Sequence, residues 1–290
     1  MRIGLAQMDI IWEDVEGNQR KAEHFFKEAA GRKADLLVFP EMTLTGFSMH
    51  VEKTAANWED QLGFFMEMTK KYSTAAICGY PAPADQEACP AGTGSPGMTS
   101  SFGKAGSCRK TGSCRNHLAL VRDGEVLMDY EKIHPFSYGQ ESGFFSGGDR
   151  IVGTDFEGTG LGAFICYDLR FPEIFQISSE KNEIICLIAN WPAARISHWD
   201  ILLQARAIEN QCFMVGVNRT GSGGGLDYNG HSAVYGPGGD RMNDLSRDEG
   251  LIMVEIDPRE AGSFRNTFPV KKDRRKELYR SLSDDRSSFK

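Results

Sequence analysis

Long apolar runs are missing from this chain: none approaches the roughly 18 consecutive apolar residues that a membrane span needs. No targeting segment is visible in it, and none is expected. Met1-Arg-Ile-Gly-Leu-Ala-Gln-Met8 alternates like a strand, is too short for a secretory apolar segment, and is soon followed by Glu13, Asp14 and Glu16. No basic face offsets the net charge of −7, which argues against a general nucleic-acid or anionic-membrane binder. The one basic cluster, Lys271-Lys-Asp-Arg-Arg-Lys276, is interrupted by an acid and is expected to be a solvated tail or an interface element. Repeats, heptads and shifts of composition are absent, so residues 1–280 are expected to form one domain, with 281–290 as a C-terminal tail. Seven cysteines, an odd count without an export signal, point to reduced thiols and a cytoplasmic setting.

What the chain does have is alternation of strand-like and helix-like segments. Strands are expected over residues 2–10, 34–39, 75–79, 116–122, 125–130, 150–155, 160–165, 183–189, 212–217, 231–235 and 251–256. Helices are expected over 18–31, 58–72, 172–180 and 196–211. Asp123-Gly124 between two strand patterns is a hairpin signal. Helices between buried strands, together with a hairpin, predict mixed sheets covered by helices.

Residues 81–113 stand apart, rich in Pro, Gly, Ser, Ala and Cys and without either period, and are expected to form a long loop. Cys89, Cys108, Cys114 and His117 invite a zinc reading, but Cys-x5-Cys-x2-His fits none of the usual ligand spacings, and no metal is expected. The glycine run 221–225 lacks a following Gly-Lys-Ser/Thr and is read as a flexible surface turn rather than a phosphate loop.

Three strand ends carry chemistry. Leu161-Gly-Ala-Phe-Ile165 delivers Cys166 to a helix start, with Asp168 as the expected N-cap and Pro172 in the first turn. First-turn N–H groups there favour a thiolate and can hold an oxyanion, although a small buried core residue is the competing reading of Cys166. Glu41 follows Leu36-Leu-Val-Phe-Pro40, and apolar surroundings suit a general base; an exposed turn glutamate is the alternative. Lys132 closes the hairpin in Tyr130-Glu-Lys-Ile-His-Pro135, where it could lower a thiol's pKa or hold an oxyanion, with Asp129, Glu131 and His134 as competing candidates. Glu41 and Lys132 both follow strands rather than fill them, so removing either is expected to cost rate and not folding.

Leu37-Val-Phe-Pro-Glu-Met42, Tyr130-Glu-Lys-Ile-His134 and Cys166-Tyr-Asp-Leu-Arg-Phe-Pro-Glu173 resemble the Glu–Lys–Cys blocks of the nitrilase superfamily, the carbon–nitrogen hydrolases. The resemblance runs from Met1 to about Tyr279, with residues 81–113 as the departure. It implies a four-layer αββα sandwich with two mixed sheets, hydrolysis through a cysteine thioester, and no cofactor. Carried over by motif, Cys166 is the nucleophile, Glu41 the general base, and Lys132 the oxyanion residue together with the backbone N–H of Tyr167. Glu141 falls where many members carry a second active-site glutamate. The 189–195 and 205–211 segments resemble those of bacterial omega-amidases, which implies a small carboxylated amide such as 2-oxoglutaramate as substrate. Arg195 is then the candidate carboxylate anchor and Trp191 a wall of the cleft; a structural salt bridge for Arg195 and a core role for Trp191 fit equally well. Arg170 is a further candidate, or a bridge to a carboxylate at the elbow. A nitrilase, a carbamoylase, a deaminated glutathione amidase and a catalytically silent binding module on the same scaffold are the alternatives. A homodimer or larger homo-oligomer is expected.

Overall fold

Apolar strands that must bury both faces, joined by helices with one apolar stripe, decide the architecture. The computed structural model describes residues 1–84 and 112–284. Its strands are β1 (Arg2–Gln7), β2 (Leu36–Val38), β3 (Ala75–Pro83), β4 (Cys114–Arg122), β5 (Glu125–Glu131), β6 (Gly153–Phe156), β7 (Thr159–Ile165), β8 (Ile184–Ala189), β9 (Phe213–Asn218), β10 (Thr220–Gly223), β11 (Leu226–Asn229), β12 (Ala233–Tyr235) and β13 (Gly250–Glu255). Its helices are α1 (Val15–Gly31), α2 (Val51–Thr54), α3 (Trp58–Tyr72), α4 (Pro172–Ser178), α5 (Ile196–Asn210), α6 (Arg259–Thr267) and α7 (Lys276–Asp284).

One sheet has the order β13-β1-β2-β3-β4-β5 and the other β12-β9-β8-β7-β6, with β10 and β11 paired as a separate hairpin. In each sheet three neighbouring strands run parallel (β1, β2, β3 and β7, β8, β9) and the flanking strands are antiparallel. Both sheets are therefore mixed, as expected. The side-chain period of two sorts the first sheet: Ile3, Leu5, Leu36, Val38 and Ile77 join the buried cluster of the second sheet, with Leu161, Ala163 and Ile188. The alternate residues Ala6, Leu37, Ala76 and Cys78 pack instead on Phe25 and Phe26 of α1 and Phe65 of α3. Phe175 of α4 and Trp199 and Leu203 of α5 cover the far side of the second sheet. The result is the αββα sandwich that the family resemblance implies.

Several local differences have physical causes. Helix α1 starts at Val15 rather than Asn18, because Asp14 caps it by accepting from the Gly17 N–H at 3.0 Å. Asn18 is buried inside the first turns, where its side chain donates to Ile11 O and Leu44 O and so ties two loops to the helix. The basic cluster is not simply solvated. Lys271 donates to Ser179 O, and Arg274 donates to Glu209 O at 2.8 Å, which satisfies carbonyls at the C-terminal ends of α4 and α5. Burial, with Arg265 nearby, brings the Lys271 pKa down to about 8. Cys78, Cys166, Cys186 and Cys212 are free and buried, whereas Cys114 is disulfide-bonded, which departs from the all-thiol expectation. Within 81–113, residues 81–83 continue β3, and the remaining reading of that segment, with Cys89 and Cys108, lies outside the described residues apart from 84, 112 and 113. Among the described residues, no helix is long and apolar enough to cross a membrane.

Candidate active site

Glu41, Lys132 and Cys166 each stand one to three residues past the end of a strand, at β2, β5 and β7, and the two sheets bring those ends together. Glu41 opens a tight turn in which Met42 has φ 45° and Gly46 φ 71°. That turn is pinned on β3, since the Thr43 N–H donates to Gly79 O at 2.9 Å and the Gly79 N–H to Thr43 Oγ1 at 3.2 Å. Gly79 has to be glycine here: a Cβ would lie 2.6 Å from Met42 N and 3.0 Å from the Glu41 Cα. Cys166 itself has φ 45°, a left-handed elbow between strand and helix that a non-glycine residue rarely adopts. Tyr167 follows in the first turn of the 3-10 segment Cys166–Arg170, where backbone N–H groups have no acceptor within the helix.

The polar centre is buried and closely connected. Lys132 Nζ donates to Glu41 Oε1 at 2.9 Å and to Glu141 Oε1 and Oε2 at 3.1 and 2.8 Å. Asn116 Nδ2 spans the same two carboxylates, at 2.8 and 3.0 Å. The Asn190 N–H donates to Glu41 Oε2 at 2.9 Å, and the Phe136 N–H donates to Glu141 Oε2. The side chains of Glu41 and Glu141 are 0% exposed and that of Lys132 1%, so these charges interact almost without screening. Burial pulls the Lys132 pKa down, but Glu141 and Glu41 outweigh it and hold the ammonium protonated. Burial raises the Glu141 pKa, Lys132 opposes this, and Glu41 adds to it. The Cys166 thiol is raised well above its ordinary value, by burial first and then by Glu41, to which it is hydrogen-bonded; Lys132 pulls the other way and loses. The first-turn N–H groups expected to favour a thiolate are thus opposed at the elbow by burial and by Glu41.

The competing candidates around Lys132 are all engaged elsewhere. Asp129 meets His117 Nδ1 at 3.1 Å and the Tyr80 hydroxyl at 3.2 Å, and Glu131 pairs with Arg115. His134 binds Asp168, with its N–H and Nδ1 at 3.0 and 2.8 Å from Oδ1, and stacks on Phe171 at 3.7 Å. Asp168 is not the N-cap of α4, a position held by Phe171. It is instead fully buried and also accepts from the Ile165 N–H and the Tyr130 hydroxyl at 3.1 and 2.8 Å. One carboxylate thus fastens the Cys166 elbow to the lysine-bearing strand end. His117, once a zinc candidate, is spent on Asp129 and Tyr80, and no group of metal-ligating side chains occurs among the described residues.

Cys166 opens into a cavity of about 300 Å³. Its wall includes Phe47, Phe136, Tyr167, Trp191, Arg170 and Arg195. The Arg195 guanidinium lies 5.5 Å from the Phe136 ring, and that of Arg170 lies 4.7 Å from the Trp191 ring and 3.4 Å from His198 Nδ1. Among the described residues neither arginine has a carboxylate partner, so the salt-bridge readings of both fall away. Trp191 serves both of its readings: it is 3% exposed in the core against Trp199, and it also walls the cavity, its Nε1–H donating to Arg195 O at 2.8 Å. The glycine run is a paired hairpin rather than a loose turn. Gly224 and Gly225 turn it with φ 59° and 78°, and Gly223, Gly224, Leu226 and Tyr228 line the cavity above Trp12. Sequence reasoning missed Asn116, Asn190, Trp12 and Tyr228. Asn190 had a signal available, because it directly follows the apolar strand β8, the same placement that marked Glu41 and Cys166.

Residues 2–266 match the family model described as carbon-nitrogen hydrolase. A 2-oxoglutaramate amidase of Bacillus subtilis (strain 168) is 31% identical over 281 residues, spanning 96% of this chain and 98% of its own. An omega-amidase of Escherichia coli (strain K12) is 29% identical over 275 residues, spanning 94% and 96%. Among solved structures, a CN-hydrolase superfamily protein from Xanthomonas campestris superposes with a TM-score of 0.80 at 25% identity, covering 94% of this chain and 97% of its own.

Proposed function

The chain belongs to the carbon–nitrogen hydrolase family and is a hydrolase of the amidase kind, and from that premise we propose that its substrate is the distal amide of a small 2-oxo acid such as 2-oxoglutaramate. One observation carries the reading. Two guanidiniums stand on the wall of the cavity that holds Cys166, and no Asp or Glu among the described residues lines it, in a protein whose net charge is −7. A carboxylated substrate supplies the missing partner, and a volume of about 300 Å³ suits a small one. The names of the Bacillus and Escherichia relatives point the same way.

In this reading Cys166 is the nucleophile and Glu41 the base that takes its proton as sulfur attacks the carbonyl carbon. Negative charge gathers on the carbonyl oxygen beside the Lys132 ammonium and the Tyr167 N–H. The C–N bond then breaks, nitrogen leaves as ammonia with the proton returned by Glu41, and a thioester remains. Water, deprotonated by Glu41, cleaves the thioester and frees the acid. Glu141 takes no proton in these steps; its two contacts hold Lys132 in place. Arg195 anchors the remote carboxylate, so the distal carbonyl meets the sulfur in attack geometry. A homodimer or larger homo-oligomer is our proposal for the assembly.

The test is kcat/KM for 2-oxoglutaramate and 2-oxosuccinamate against an uncharged amide and a nitrile of similar length, in the wild type and in Arg195→Met. The wild type should prefer the carboxylated amides, and Arg195→Met should lose about tenfold or more of that preference. A wild-type preference for the neutral amide rejects the substrate class, whereas an unchanged preference in the mutant rejects only Arg195 as the anchor.

A further inference from the structure

Two buried acceptors beside the site have no partner among the described residues, Oδ1 of Asn116 and Oδ1 of Asn190. They differ in position. Asn116 sits between the two glutamates and does not line the cavity, whereas Asn190 lines it together with Cys166. The orientation of the Asn190 amide is fixed by its neighbours: Nδ2 donates to the main-chain carbonyl of Glu41 at 2.6 Å, a group that can only accept, so the opposite atom is the oxygen. With its own N–H on Glu41 Oε2, Asn190 is held at two points and has one acceptor left over.

The rest of the site is already committed. Glu41 Oε1 receives Lys132 and Asn116, Oε2 receives the Asn190 N–H, and the Cys166 thiol is also bound to Glu41. Lys132 and the Tyr167 N–H can only donate. A primary carboxamide brings one acceptor and two donors. Its oxygen suits the donor side, and its N–H groups need an acceptor that Glu41 cannot supply while it handles the thiol proton.

We infer that Asn190 Oδ1 accepts an N–H of the scissile carboxamide and thereby selects amides over esters of the same acyl group. The contact also serves the expulsion step. As the tetrahedral adduct collapses, the C–N electron pair leaves with nitrogen, which must turn its lone pair towards the proton on Glu41. An N–H held by Oδ1 fixes the rotation about that C–N bond. An ester oxygen presents no hydrogen and leaves the buried acceptor unmatched, a mismatch that polar sites discriminate strongly against.

The inference rests on the amidase activity and not on the carboxylate anchor, and the experiment separates the two. Two amide and methyl-ester pairs are compared by kcat/KM, one built on 2-oxoglutarate and one on butyrate. The proteins are the full-length wild type, Asn190→Ala and Asn116→Ala. Asn116→Ala also disturbs Glu41 but does not face the cavity, so it measures what a loosened Glu41 does to the amide-to-ester ratio. In any pair the wild type hydrolyses, Asn190→Ala should lower that ratio about tenfold or more beyond the Asn116→Ala baseline. Equal shifts in the two variants would overturn the inference and leave Asn190 as a support for Glu41 alone. Should Asn190→Ala fail to fold, Asn190→Ser is read by the same ratio and the same criterion. Failure of the wild type on the 2-oxoglutarate pair alone counts against the substrate class, while the butyrate pair still decides the role of Asn190.

Discussion

Replacing Lys132 by methionine probes the charge balance on which the site depends. Methionine keeps the apolar stem and removes an ammonium that makes three contacts of 2.8 to 3.1 Å with two carboxylates. Glu41 and Glu141 would then face only neutral donors, the amide of Asn116, the N–H groups of Asn190 and Phe136 and the Cys166 thiol. Removing one partner of a buried ion pair costs about 3–5 kcal/mol. Against a total stability of about 5–15 kcal/mol this leaves the protein folded but lowers its melting temperature by something on the order of 5–15 °C. Placement after a strand therefore spares the fold but not its stability, because the Lys132 side chain is 1% exposed.

The pH dependence gives a second, signed readout. Glu141 already has a raised pKa, from burial and from Glu41, and Lys132, with a smaller contribution from the Phe136 N–H, restrains it. Without Lys132 that pKa rises further. A carboxyl group whose folded pKa exceeds its unfolded value of about 4.3 stabilises the fold below that value, and the contribution is lost as pH rises through the folded pKa. The melting deficit of Lys132→Met should therefore be smaller at about pH 5 than at about pH 8. Adding Glu141→Gln should recover part of the deficit, since it removes the stranded charge. Thermal unfolding of the single and double variants at both pH values is the assay. A single variant melting within about 2 °C of the wild type near pH 8, or a deficit that grows on acidification, would refute the charge argument.

Three further outcomes follow from the same geometry. Cys166→Ala should abolish ammonia release while melting close to the wild type, and persistent turnover would remove Cys166 from the reaction. Glu41→Gln should slow turnover by ~10²–10⁴-fold yet speed alkylation of Cys166 by iodoacetamide, because Glu41 is one of the influences that keep the thiol protonated; slower alkylation would mean that Glu41 activates the resting thiol instead. Replacing residues 85–111 by a short Gly/Ser turn should leave a single cooperative unfolding transition, since the Ala84 N–H already donates to Ser113 O at 2.8 Å and the ends of the segment meet.

How much of this was legible in the sequence depends on distance along the chain. Strands, crossover helices and the Asp123-Gly124 turn are local patterns, and most were visible within a few residues of their observed ends. The turn behaves as its composition requires, with φ 50° and 78° at the two positions. Glu41, Lys132 and Cys166 could be picked out as residues just past strands and inside motifs, and Glu141 by its place after the lysine block, but their convergence could not. It depends on contacts such as Lys132 to Glu41, 91 positions apart, and Asn190 to Glu41, 149 apart. Asn116 carries no local mark, because it stands between two other polar residues, Arg115 and His117, in the first half of β4. The basic cluster misled for a related reason: charge composition says nothing about carbonyls at the ends of helices α4 and α5, which are distant in sequence.

The electrostatics of the centre bear on how such a site can hold a reactive sulfur without keeping it permanently ionised. Two glutamates and one lysine, all buried, share the space beside the thiol. A thiolate there would add negative charge in a low-dielectric setting, and burial together with Glu41 accordingly pushes the Cys166 pKa up. The thiol proton can move to Glu41 at low cost only if negative charge appears at the same moment somewhere that Lys132 can stabilise. A carbonyl oxygen under attack is such a place. In the proposed mechanism Lys132 therefore stabilises the adduct more than the resting sulfur, which is the difference between ground and transition state that accelerates a reaction. Glu141 makes this division workable, because by binding Lys132 through both oxygens it lets Glu41 exchange a proton without releasing the lysine. In the proposed mechanism a third charged residue thus supports the proton transfer, which accounts for a second glutamate buried as deeply as Glu41.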